Sequence, residues 1–143
     1  MVAIFLSSKG FAELRTGIGE GWEPIEALQA CEDYEVTRLL LAVAITFRVM
    51  DNRKRDDKLP STCGKLVEDV NKPLESKTLT VRDACNRIIH AEVIRGDLED
   101  TEDGQVYSNP IMYLYGPPHG KQWKATLNII DFAKEYVSIV SLH

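Results

Sequence analysis

VTRLLLAVAITFRVM, residues Val36 to Met50, decides how this 143-residue chain is read. Eleven of its fifteen residues are apolar, and at helical spacing they point to every side, leaving Thr37, Arg38, Thr46 and Arg48 as polar marks. A helix apolar all round must be wrapped by other elements. The segment is shorter than the roughly 20 apolar residues that span a bilayer, and Arg38 and Arg48 bracket it. The expectation is therefore a buried central helix in a small soluble domain with no membrane association.

Working outward, Pro24 suits a first helical turn, and Ile25, Leu28, Cys31 and Tyr34 carry an apolar stripe into the central segment. Residues 24 to about 51 read as one long helix. Before it, Phe11, Leu14 and Ile18 favour an amphipathic helix from about Ser8, while Val2 to Leu6 suits either helix or strand. Gly17, Gly19 and Gly21 follow. They lack the lysine–Ser/Thr pair of a phosphate loop, so a plain turn is expected. After the long helix, Asp51 to Ser61 (DNRKRDDKLPS) is a charged connection whose basic cluster is cancelled by Asp56 and Asp57. Gly64 to Val70 reads as a short helical piece.

The segment TVRDACNRIIHAEVI begins at Thr80, where Thr80 and Asp83 fit a capping box. Val81, Ala84, Cys85, Ile88 and Ile89 form its apolar arc. Arg82, Asn86 and His90 recur at i, i+4, i+8 as a polar ridge, and Asp83 and Arg87 are spaced to pair. Val93 and Ile94 lie opposite the apolar arc if the helix continues that far, and this motivates a homodimer through the ridge. If the helix ends near Ala91, they start a strand instead.

Further on, Asp103-Gly104 marks a turn and Ile111 to Tyr115 reads as a strand. Gly116 to Gly120 is a turn, and Lys121 to Leu127 alternates with Trp123, Ala125 and Leu127 on one face. A third strand is expected from Val93–Leu98 or Val106–Tyr107. Asn128 caps a last amphipathic helix carrying Ile129, Phe132, Ala133, Tyr136, Val137 and Val140. The fold class expected is mainly α (α+β) in a single domain, residues 1–143. Its helical part covers 1–92, and a β-hairpin and C-terminal helix cover 93–143.

Composition narrows the function classes. A net charge of −5 argues against a broad nucleic-acid footprint, and no DNA-binding signature is present. Three cysteines without a CxxC pair suit reduced thiols in the cytoplasm, and the start lacks the basic region of a signal peptide. His90, His119 and His143 have no ligand spacing, so neither metal nor cofactor is expected. Arg82, Asn86, Arg87 and His90 are the candidate catalytic residues, with histidine moving a proton and guanidinium stabilising negative charge. Tyr107, Tyr113, Tyr115 and Trp123 form either packing pairs or a surface for stacking a base.

The helix with Arg82, Asn86-Arg87 and His90-Ala91 resembles the signature helix of HEPN-type helical proteins. Many of those are dimeric ribonucleases of toxin or defence systems, with Arg and His at the dimer cleft. Seven residues separate Arg82 from His90 and two separate Arg87 from His90, whereas the family's usual interval is four to six. The resemblance implies a metal-independent ribonuclease or an RNA-binding protein. Without it, the residues favour a non-enzymatic interaction or accessory protein.

Overall fold

The computed structural model describes residues 23–51, 62–100, 102, 104 and 106–141. In chain order its elements are α1 (Glu23–Asp51), β1 (Thr62–Val67), β2 (Ser76–Thr80), α2 (Val81–His90), β3 (Val93–Asp100), β4 (Val106–Tyr115), β5 (Lys124–Asn128) and α3 (Ile129–Ser141). The five strands form one sheet in the order β2-β1-β5-β4-β3, antiparallel at every pairing. The sheet's central strand is thus the last to be reached along the chain. The expected amphipathic segment from Ser8, the glycine turn at 17–21 and the connection 52–61 lie outside the described residues.

This corrects the mainly helical expectation. The molecule is an α+β fold with a sheet-dominated core, in which the expected hairpin is only the β4–β5 part. The segment read as a helical piece after Gly64 is overturned as well, since Thr62 to Val67 is strand β1. A register shift between Thr62 and Gly64 turns Cys63 inward alongside Leu66, and both are buried. Core positions three residues apart imitate a helical period, which is how a bulged strand passes for helix. Gly64 is required there: a Cβ would lie 2.0 Å from the Thr126 carbonyl oxygen on the neighbouring strand.

One layer of helices covers one face of the sheet. Leu66, Leu79, Met112, Leu114, Ala125 and Leu127 point inward and join Val36, Leu40, Ala44 and Phe47 of α1, Val81, Ala84, Cys85 and Ile88 of α2, and Ile129 and Phe132 of α3 in a single cluster. Burying one face of an antiparallel sheet leaves the alternate residues of every strand on the outer side.

Helix α1 has the expected span but not the expected surroundings. Its buried residues follow i, i+4, i+8, i+11 on one side, whereas Ile45 is 53% exposed, Val49 51% and Tyr34 75%. The central helix therefore has a solvent side. No helix among the described residues is long and apolar enough to cross a membrane.

Local signals were realised closely. The Asp83 amide donates to the Thr80 hydroxyl at 3.1 Å, and that hydroxyl donates to the Asp83 carboxylate at 3.0 Å, together opening α2. The Asn128 side chain accepts from the amides of Ile130 and Asp131 at the start of α3. Gly104, with φ +78°, lies in the β3–β4 connection. Helix α2 stops at His90, and Val93 opens β3. The apolar pair that motivated a dimer face belongs to a strand.

Candidate functional site

The four candidate residues on α2 divide. Arg82, Asn86 and His90 are exposed along one side of the helix, opposite the residues it buries. At a rise of about 1.5 Å per residue, Arg82 and His90 stand roughly 12 Å apart along the axis. A proton-transfer group and the donor stabilising its developing anion must both lie about 3 Å from the reacting atoms. Within one chain this ridge does not bring Arg82 and His90 to a common centre.

Arg87 leaves the ridge. Its Nη2 donates to both Glu68 carboxylate oxygens, at 3.2 and 3.0 Å, rather than pairing with Asp83 as the helical spacing suggested. The guanidinium also lies 4.7 Å from the centre of the Trp123 ring. Glu68 holds Lys77 at 2.6 Å as well, so its carboxyl sits below its ordinary pKa. The Lys77 hydrogen bond outweighs partial burial, and the Arg87 charge adds to the lowering. This cluster fastens α2 to the β1–β2 connection. Arg87 is thereby committed to the fold.

A second constellation occupies the outer sheet face. On β4, alternation places Tyr107, Asn109, Ile111, Tyr113 and Tyr115 outward, since Met112 and Leu114 point into the core. The pairing Tyr115↔Lys124 and Tyr113↔Thr126 sets β5 residues beside the tyrosines, and Arg95↔Tyr113 and Val93↔Tyr115 do so from β3. Lys65↔Thr126 extends the row to β1.

The contacts on this face alternate ring and cation. The Lys124 ammonium lies 4.6 Å from the Tyr113 ring centre and 5.6 Å from that of Tyr115. Arg95 lies 5.1 Å from the Tyr115 ring centre and donates to the Tyr115 hydroxyl at 3.1 Å. The Tyr113 hydroxyl donates to Asp97 at 3.1 Å. Beyond it, Glu99 accepts from Tyr107 at 2.5 Å and from Asn109 at 2.8 Å. The face is thus cationic across β1, β5 and the start of β3, and acidic toward the far end of β3.

These surroundings split the two phenols. Burial and the hydrogen bond to Asp97 push Tyr113 up. Burial acts on Tyr115 in the same sense, but the Arg95 hydrogen bond and the Lys124 and Arg95 charges together outweigh it and leave this phenol lowered. Lys65, Arg95 and Lys124 form no carboxylate ion pair among the described residues.

Trp123 does not join the tyrosines; it is 8% exposed and belongs to the core cluster. Arg95, Lys124 and Asp97 were not legible as site residues, because each reaches the tyrosines only through strand pairing, and Lys65 joins the row only through Thr126. The signal available was the alternation of tyrosines at 107, 113 and 115. Among the described residues no group of three or more His, Cys, Asp or Glu is placed to hold a metal ion. Cys63 is no nucleophile: burial, with smaller contributions from Cys85 and nearby carboxylates, pushes its thiol up to about 12.

No protein-family model matches the chain, and neither a curated protein nor a solved structure matches it.

Proposed function

We propose that this chain is a cytoplasmic, non-enzymatic interaction protein that holds its ligand on the outer face of the sheet. The observation that carries the reading is the ladder Arg95–Tyr115–Lys124–Tyr113 on the face opposite the one that the described helices pack against. Side chains kept for packing belong on the inner face, where the apolar residues are. Four polar-tipped aromatic and cationic groups sharing the other face are better suited to meeting a ligand. A double variant, Tyr113→Thr with Tyr115→Thr, preserves strand-favouring residues and tests this. The expected result is a folded protein whose melting temperature stays within a few degrees of wild type. Collapse of the fold would show the ladder to be structural and sink the reading.

A second reading is favoured by the exposure of Arg82, Asn86 and His90 along one side of α2. It is a HEPN-like, metal-independent ribonuclease acting as a homodimer, whose two-fold axis brings one ridge against its copy. Incubating mixed RNA with the protein in EDTA, beside His90→Ala, separates the two. Cleavage lost in the variant supports the enzyme, and its absence from both supports the binding protein. Light scattering on wild type and Asn86→Trp reads the dimer directly, since a mass near 16 kDa at every concentration excludes it.

A further inference from the structure

We infer that the outer sheet face binds a short stretch of unpaired RNA, two or three nucleotides long, by stacking bases on Tyr113 and Tyr115 while Lys65, Arg95 and Lys124 meet the phosphates. This rests on the sheet-face reading above and adds the chemistry of the ligand.

The argument begins with charge. Lys65, Lys124 and Arg95 stand on β1, β5 and β3, in a band that crosses β4 with its tyrosines. None has a carboxylate partner among the described residues. Adjacent strands lie about 4.8 Å apart, so from Lys65 to Arg95 the band covers three spacings, about 14 Å. A sheet of comparable reach accommodates two or three stacked bases. The acidic pair Asp97 and Glu99 closes the band at one end, and both are engaged by hydroxyl or amide donors. A longer polyanion would run onto those acids, which fits a short footprint and a chain of net charge −5.

Ring geometry supplies the second part. The ammonium of Lys124 sits over Tyr113 and Tyr115, and the guanidinium of Arg95 over Tyr115. A flat base can take the place of the flexible ammonium over a ring, and an Arg plane is itself a stacking partner. The displaced ammonium is then free to pair with a phosphate. Only unpaired bases offer their faces this way; in a duplex they are covered. Thr126 lies in the same row as Lys65, Tyr113 and Arg95, and Thr78 pairs beside Lys65. Their hydroxyls provide donors and acceptors for a ribose 2′-hydroxyl, which favours RNA over DNA.

The test uses the full chain and fluorescence anisotropy with a short, labelled, unstructured RNA of mixed sequence. Parallel arms use the same sequence as DNA, the RNA annealed into a duplex, and poly-glutamate as competitor. Tyr115→Leu, which keeps apolar volume but removes the ring, is expected to weaken RNA binding about tenfold, within the range for loss of one stacked base. Tyr115→Phe keeps the ring and should bind near wild type, as should Lys134→Ala at an exposed position of α3 in the helix layer. Three phosphate contacts predict a log–log salt slope of about −2. Equal binding of wild type and Tyr115→Leu, equal binding of duplex, or full displacement by poly-glutamate would overturn stacking of an unpaired strand. Equal binding of DNA would overturn the assignment to RNA. Failure of folded wild-type protein to bind any arm overturns this inference alone, whereas unfolding of the tyrosine double variant overturns the sheet-face reading beneath it.

Discussion

Replacing Leu40 and Ile45 by Ala, one at a time, probes the position of α1 most directly, because the two lie five residues apart on one helix in opposite surroundings. Leu40 is fully buried and Ile45 is 53% exposed. Leu→Ala in a closed core removes transfer free energy and leaves a cavity, at a cost of about 3 kcal/mol, toward the low end of the usual range. Fully burying an Ile side chain contributes roughly 1.5–3 kcal/mol, so the half-exposed Ile45 gives up about 1 kcal/mol. The better helix propensity of Ala returns a few tenths of that. For a chain of this size, about 3 °C of melting temperature accompanies each kcal/mol. Leu40→Ala is therefore expected to melt about 10 °C below wild type, and Ile45→Ala about 2 °C below. Thermal unfolding followed by circular dichroism, with urea titrations to check that the slope is unchanged, measures both. Equal losses of several kcal/mol would restore the fully wrapped helix and refute the two-layer arrangement.

Three further outcomes follow from the same structure. Gly64→Ala forces a methyl against the Thr126 carbonyl and should destabilise by about 2 kcal/mol or more, in the manner of overpacked sites; a neutral melt would show that β1 can draw away from β5. Because the folded Glu68 carboxyl lies below its ordinary 4.5, its contribution is complete above that value and is lost as pH falls through the folded pKa. Glu68→Gln should accordingly flatten the acid limb of stability below about pH 5, by a modest amount for a half-exposed pair, and an unchanged limb would refute the Lys77–Glu68–Arg87 cluster. In an alkaline absorbance titration, Tyr115 should ionise before Tyr113, with Tyr113→Phe identifying the later step, and Arg95→Gln should delay Tyr115; coincident titration of both phenols would contradict the contacts described for them.

What was legible in the sequence was mostly local. Pro24 and the stripe that follows located α1, Thr80 with Asp83 opened α2, and Asn128 opened α3, because each signal is completed within a turn of itself. The alternation after Gly120 gave the β5 face correctly. The first two strands were hidden for a physical reason: β1 draws its partners from β2 and from β5, and its bulge replaces period-two burial by a three-residue step. The surroundings of α1 misled in another way, since apolar residues on all sides do not oblige a helix to be buried on all sides. Ile45 and Val49 remain exposed, as many apolar surface residues do. At the candidate sites the limit was again distance along the chain. Arg87 chose Glu68, nineteen residues away, over Asp83 one turn back on its own helix, and the tyrosines of β4 acquired their cations from two other strands, β3 and β5.

The strand order also dictates a timetable for the ribosome. The β1–β2 and β3–β4 hairpins are complete in sequence before β5 exists, yet only β5 joins them. Fifty-six residues lie between Val67 and Lys124, about 3–11 s of synthesis at roughly 5–20 residues per second. Through that interval β1 has a free edge, joined by that of β4 once Tyr115 has been made, both awaiting the same strand, while α3 of the covering layer follows later still. A nascent chain stalled before Lys124 would be a natural client for chaperones that shield such edges. Release of the finished chain from them would depend on five residues, Lys124 to Asn128, slotting between two waiting halves.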